Sequence, residues 1–238
     1  MTISSERINT LLRNIEGSSY LEVGVQVGKT FHKVHADHKV AVDPKFLFDV
    51  DQSREIYPHC IYHEVTSDQY FSENMRSARY DLIFLDGLHV HNQTYRDFCN
   101  AIECLSGKQS IIVIDDTFPN DVFSSHPDNQ KALLHRKAFG TAANGWHGDV
   151  YKTILYIAAF HPSFDYFTIT GVNQKSQTIL WRPQVGIRKH AVKCDKYQDI
   201  VQNIYAADYL WLLDNINILN PVKSFEDGLR LMNDDSSN

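Results

Sequence analysis

Short runs of consecutive apolar residues, each closed by an acid, a glycine or another polar residue, alternate with more polar stretches along most of the chain. SYLEVG (19–24), KVAVD (39–43), CIYHEV (60–65), YDLIFLDGLHV (80–90) and QSIIVIDD (109–116) read as strands. Their near-continuous apolar character fits strands buried on both faces of a parallel sheet. The polar stretches between them predict right-handed crossovers. Ile8, Leu11, Leu12 and Ile15 recur at helical spacing, so residues 4–16 predict an amphipathic helix opened by Ser4 or Ser5 and stopped by Gly17. A last crossover helix, GDVYKTILYIAAF (148–160), leads to FDYFTIT (164–170) and, through a short link, to SQTILWR (176–182). So short a link makes that last pair an antiparallel hairpin. The pattern as a whole predicts an α/β fold: a doubly wound, seven-stranded, mostly parallel sheet with a C-terminal antiparallel hairpin.

Between these elements, residues 117–148 are long for a connector and are rich in Pro, Asn, Ser and Gly, a composition typical of lids; KALLHRKAF within them predicts a short helix. Ile200, Val201, Ile204, Tyr205 and Leu212 predict an added C-terminal helix before Pro221, and NDDSSN reads as frayed. The expected organisation is one principal domain over 1–182 with 183–238 as a helical extension packed on it. At 238 residues and 43% hydrophobic content, such a domain can bury a sizeable core.

Charge and cysteine usage narrow the partners. The net charge is −6 without a dense basic run, and the locally basic stretch from Arg182 to Lys196 reads as a solvated connector, so nucleic acid is not expected. The longest strongly apolar run, ILYIAAF (154–160), is too short to span a bilayer, and MTISSERINT has no apolar signal core. Cys60, Cys99, Cys104 and Cys194 show no CxxC spacing, which argues against zinc ribbons and dithiol redox chemistry and fits a reducing compartment. The expectation is a cytoplasmic protein acting on a small molecule; homo-oligomerisation through the C-terminal helix is left open.

Ligands of open α/β sheets bind beyond the carboxyl ends of the strands. Asp86 ends the fourth strand with His89 three positions on, and Asp115 and Asp116 end the fifth, so three carboxylates and an imidazole are expected on one rim. The first strand runs into LEVGVQVGKT, where only three residues separate Gly24 from Gly28, one too few for a phosphate-binding P-loop; GxGxxG is absent as well. Glu22 on the first strand and Asp43 ending the second instead suit an adenosine ligand carrying an ammonium tail.

Each residue has a plainer reading. Asp86 and Asp149 fit helix caps, and His89 and His91 fit satisfied loop histidines. His32, His35 and His38 fit solvated positions. Trp146, His147 and Asp149 in GWHGDVYK are candidates for substrate contact beside the lid. Three carboxylates converging without a cation would raise one another's pKa, which itself argues for a bound metal.

Taken together, the ExGxxxG of Glu22, Gly24 and Gly28, the acid Asp43, the DGLH from Asp86 to His89 and the Asp115–Asp116 pair resemble class I S-adenosylmethionine-dependent methyltransferases. More narrowly they resemble the metal-dependent, macrocin-type sugar O-methyltransferases, over residues 19–182. The resemblance implies a Rossmann-like fold with Asp86, Asp115 and Asp116 on Mg2+ or another divalent cation and His89 as base. It further implies that Glu22 contacts the methionine moiety, Asp43 the ribose, and Ser67 and Asp68 the adenine; Gly24, Gly28 and Asp86 complete the cofactor site. The acceptor would be a hydroxylated small molecule such as a sugar or glycoside. The alternatives are a P-loop-like nucleotide hydrolase and a non-catalytic S-adenosylmethionine-binding module.

Overall fold

Each apolar run becomes a strand, trimmed at its ends: β1 (Ser19–Val23), β2 (His38–Asp43), β3 (Cys60–Glu64), β4 (Leu82–Leu85), β5 (Ile111–Asp115), β6 (Asp165–Ile169) and β7 (Gln177–Trp181). An eighth, β8 (Pro221–Val222), is two residues long and below the length at which a pattern registers. The helices are α1 (Ile3–Asn14), α2 (Val50–Ile56), α3 (Ser67–Asn74), α4 (His91–Glu103), α5 (Asn129–Ala138), α6 (Tyr151–Phe160), α7 (Tyr197–Ala206), α8 (Tyr209–Asp214) and α9 (Phe225–Asp234). This computed structural model describes residues 1–141, 143, 145–183 and 197–234. The basic connector from 184 and the tail from 235 lie outside the described residues.

The strands are mostly parallel, with one antiparallel pair, the α/β class predicted from the pattern. The chain divides into two compact units, Met1–Leu88 with Arg96–Ile114, and His89–Tyr95 with Asp115–Asn238. In the first, the strand order is β3-β2-β1-β4-β5, all parallel, with Glu22 level with Ala41 and Phe84. Leu21, Val40, Ile83, Phe84 and Ile112 are buried there, as strands covered on both faces require. The opening of α1 differs from the expected one: Thr2 is the N-cap, accepting from Ser5 N while Ser5 Oγ accepts from Thr2 N. Ser4 and Ser5 are inside the helix and buried, because the reciprocal capping box moves its start two residues earlier.

Asp81, just ahead of β4, collects the starts of neighbouring strands. Its carboxylate accepts from Ser18 N at 2.9 Å, Ser19 N at 3.0 Å, Ser19 Oγ at 2.8 Å and Ser106 Oγ. Burial would raise its pKa, but these donors outweigh burial and hold it below the ordinary carboxylate range. A depressed folded-state pKa gives stability that is complete above the unfolded value of about 3.9 and lost as pH falls through the folded value. Asp81→Asn is therefore expected to cost about 1 kcal/mol at pH 7, less than a fully buried charged hydrogen bond because solvent screens it. Urea midpoints at pH 7 and pH 3 test this: the gap between variant and wild type should shrink at pH 3, and a gap that stays constant would remove the charge from the explanation.

In the second unit the order is β7-β6-β8, with β6 and β7 antiparallel and β8 parallel to β6. Tyr151, Ile154, Leu155 and Ile157 bury one side of α6. The amphipathic stretch expected as one helix is two, because Asp208 accepts from Trp211 N at 2.8 Å and caps a fresh start for α8. Tyr151 Oη donates to Ala207 O between them, at 2.9 Å, which fixes the break against α6. Among the described residues no helix is long and apolar enough to cross a membrane.

Candidate active site

In the first unit, the exit of β1 is shaped by glycine. Gly24 has φ +88°, and a Cβ there would stand 2.0 Å from the backbone oxygen of Asp86. Only glycine permits that approach and that dihedral together. Asp43, at the end of β2, accepts from Gln26 N and Lys45 N, each at 2.8 Å, so its carboxylate braces the glycine loop from below. Glu22 is buried and accepts from Tyr20 Oη at 2.6 Å. The loop then enters a single 3-10 turn, Phe31–Lys33, rather than an α-helix. A P-loop needs a helix N-terminus at that place to hold phosphate, so the nucleotide-hydrolase alternative loses its binding element.

Other first-unit residues fall as follows. Thr66 caps α3, placing Ser67 and Asp68 in its first turn. Asp68 accepts from Arg96 Nε at 2.8 Å, both side chains being about half exposed. His32, expected to be solvated, is half-buried: it stacks on Tyr57 at 4.9 Å and its Nε2 lies 3.2 Å from Tyr62 Oη, partners that come from more distant stretches of the chain. His35 and His38 are exposed.

The chemistry-bearing cluster of the second unit is built at the exit of β5. Asp116 adopts φ +56°, a left-handed conformation uncommon for residues with a side chain, though aspartate enters it more readily than most. Its amide donates to Ser176 O at 3.1 Å, Phe118 N donates to Ser176 Oγ at 3.1 Å, and Thr178 Oγ1 donates to Thr117 Oγ1 at 2.9 Å. The start of β7 thus fixes the kink that follows β5. Backbone strain held in place by surrounding bonds is a frequent mark of a functional position.

Two imidazoles face the Asp116 carboxylate. His89 Nδ1 lies 3.3 Å from Oδ2, and His147 Nε2 lies 3.7 Å from Oδ1. Burial first, and the neighbouring Asp115 charge second, raise the Asp116 pKa to about 7, with His89 and Lys175 pulling it back. Burial, reinforced by the charge of His89, lowers His147 to about 4. His89 Nδ1 also lies 3.0 Å from Trp146 O, and the two rings stack at 5.0 Å and 21°. A carbonyl can only accept, so Nδ1 carries the proton and the neutral imidazole has its lone pair on Nε2.

The segment over His89 is strapped down. His147 N and Gly148 N both donate to Ser124 O, at 3.0 and 2.9 Å, and Trp146 Nε1 donates to His126 O at 2.7 Å. Arg136 of α5, almost fully buried, donates to Gly145 O at 2.6 Å and to both oxygens of Asp121. The lid region predicted at 117–148 is in this sense a tied structure around one short helix.

Asp149 does not cap α6, whose N-cap is Val150. It accepts instead from His91 N at 2.9 Å and from His91 Nδ1 at 2.6 Å, closing the start of α4, while His91 Nε2 is buried without a hydrogen-bond partner among the described residues. Asp115 is buried, and the ammonium of Lys175, from the turn between β6 and β7, lies against its Oδ2. Its Oδ1 accepts no hydrogen bond among the described residues. Neither Lys175 nor the contact of His147 with Asp116 has a local sequence signal; both arise where separate stretches meet.

No protein family and no curated protein matches the chain. Solved structures do. A candidate caffeoyl-CoA O-methyltransferase from Staphylococcus aureus is similar over 76% of this chain and 84% of its own, at 14% identity and a TM-score of 0.54. The O-methyltransferase TomG from Streptomyces achromogenes, solved in complex with S-adenosylmethionine, is similar over 75% of this chain and 78% of its own, at 13% identity and a TM-score of 0.51. The chain has the fold of class I methyltransferases. At these identities the likeness is one of fold, so activity has to be argued from the residues.

Proposed function

We propose that the chain is an S-adenosylmethionine-dependent, divalent-metal-assisted O-methyltransferase acting on a hydroxyl of a small molecule, with a sugar or glycoside as the acceptor class. The observation that carries this reading is His89: its Nδ1 proton is directed at Trp146 O and Asp116, which puts the basic nitrogen, Nε2, in position to serve as a proton acceptor.

S-adenosylmethionine supplies an electrophilic methyl group and departs as a neutral thioether, so the proton of the acceptor hydroxyl is what remains to be taken up. His89 Nε2 takes that proton. Asp116 then stabilises the imidazolium through the Nδ1 side, and Trp146 keeps the ring from rotating. In the cofactor half, Glu22 is assigned to the methionine ammonium, Asp43 to the ribose hydroxyls, Gly24 and Gly28 to the close approach of the ligand, and Ser67 with Asp68 to the adenine edge.

Asp86, Asp115 and Asp116 are assigned as the acids that would hold a divalent cation, which when bound would lower the hydroxyl pKa and orient it. Asp86, His89 and Asp116 are half-buried donors of the hard oxygen and imidazole type. The buried Oδ1 of Asp115, which accepts no hydrogen bond among the described residues, is the kind of atom a cation would satisfy. Residues 1–182 are taken as the catalytic domain, with 183–238 as its extension.

Activity on a panel of polyols and glycosides, with and without EDTA, tests the assignment. The expected result is methyl transfer that chelation abolishes and Mg2+ or Mn2+ restores. Transfer indifferent to chelation would remove the metal; binding of S-adenosylmethionine without transfer to any hydroxyl would favour the non-catalytic module.

A further inference from the structure

We infer that Asp149 is a positioning residue for His89: through His91 it clamps residues 89–91 to the strap 146–149, so that the His89 imidazole keeps one orientation and one tautomer. The inference rests on the reading of His89 as the base, and it gives Asp149 a task other than the helix cap or substrate contact that the sequence allowed.

The clamp has two prongs. Asp149 Oδ1 accepts from His91 N at 2.9 Å and Oδ2 accepts from His91 Nδ1 at 2.6 Å, with both side chains buried. Burial would raise the Asp149 pKa, but the two His91 donors outweigh it and hold the carboxyl below its ordinary range. A hydrogen bond from an imidazole to an ionised carboxylate is stronger than a neutral one and decides which ring nitrogen carries the proton.

The His91 ring has no second polar hold. Its Nε2 is buried without a hydrogen-bond partner among the described residues. Its ring neighbours are aromatic, Tyr156 stacked at 6.1 Å and Tyr205 edge-on at 6.2 Å. Such contacts fill space around an imidazole without choosing between its two nitrogens, so the choice falls to Asp149.

The clamp closes two residues from His89, and the two segments touch in between. A Cβ on Gly148 would stand 1.7 Å from His89 O, while His89 Nδ1 lies 3.0 Å from Trp146 O with the two rings stacked at 5.0 Å. On its other side the strap is tied to Ser124 O, which accepts from His147 N and Gly148 N. Asp149 thus joins an anchored strap to the segment that carries His89. Without its carboxylate the strap can slide, Trp146 O leaves Nδ1, and the His89 proton is free to move to Nε2, where it blocks the basic nitrogen.

Long-range 1H–15N correlation spectra of the imidazoles test this on the full chain without turnover, at about pH 8.5, where an ordinary histidine is neutral. Wild type should show His89 in a single, Nδ1-protonated form. D149N keeps an oxygen for His91 N but turns an amide toward Nδ1, and it is expected to add a second, Nε2-protonated His89 signal. H91N, whose amide can donate from about the place of Nδ1, should retain the wild-type His89 signal. H91L replaces D149N if circular dichroism shows that the latter has lost its fold. A merely structural pair would lower Tm and leave His89 unchanged; that result in the folded variant would overturn the inference and leave the base reading standing. Turnover on the best acceptor of the panel separates the two readings. D149N is expected to lower kcat about tenfold at unchanged S-adenosylmethionine affinity, as a small misplacement of a catalytic group does. A second His89 signal with undiminished kcat would keep Asp149 as the holder of the ring and overturn the base reading.

Discussion

His89→Gln is expected to lower kcat for methyl transfer by about 10²–10⁴-fold, the usual contribution of a positioned general base. S-adenosylmethionine affinity should stay within about twofold of wild type, because the cofactor contacts are assigned to other residues. Glutamine retains the size of imidazole and can still donate toward Trp146 O, so the strap over the ring is disturbed little. What it lacks is a basic nitrogen, and a hydroxyl that keeps its proton is a poor nucleophile. Single-turnover rates beside calorimetric cofactor titration separate the two quantities. A variant with wild-type turnover would end the base assignment. A variant that loses cofactor affinity in step with rate would move His89 to the cofactor side.

Gly148→Ala should be the most damaging single-methyl addition in the second unit. Gly148 has φ +62°, and a Cβ would stand 1.7 Å from the backbone oxygen of His89. The obstacle is backbone, which cannot step aside as a flexible side chain would. Left-handed strain and forced displacement together should cost about 2–5 kcal/mol. For a chain of this size that lowers Tm by roughly 4–20 °C. Because the atom in the way belongs to His89, turnover at 25 °C should also fall even where the protein remains folded. Differential scanning calorimetry and turnover on the same preparation check both. An unchanged Tm with unchanged turnover would mean that the Gly148 segment is not held against His89.

Much of the fold was legible because its signals are local. The apolar runs that became β1 to β7 needed no knowledge of partners: a strand buried on both faces announces itself by composition. α1 and α6 were legible from spacing, and the hairpin of β6 and β7 from the brevity of its link. What escaped were features whose cause lies elsewhere in the chain. β8 is two residues added to β6, and α9 was hidden among charged and small residues. The start of α1 slipped because Thr2 and Ser5 form a reciprocal cap where either serine would have served as a simple one. His32, expected in solvent, stacks on Tyr57 instead.

The site divides in the same way. Sequence placed acids at the ends of strands, glycines at the exit of β1 and a histidine three residues beyond Asp86, since strand ends and turn residues are encoded where they stand. Which acid meets which cation was decided only by tertiary structure. The chain brings Lys175 to Asp115, and His89 with His147 to Asp116, from stretches with no periodicity in common. It also sends Asp149 to His91 rather than to the helix it precedes. The physical reason is range: backbone preferences and burial patterns act over a few residues and are written locally, whereas electrostatic pairing depends on distances that exist only after strands and loops have been packed together.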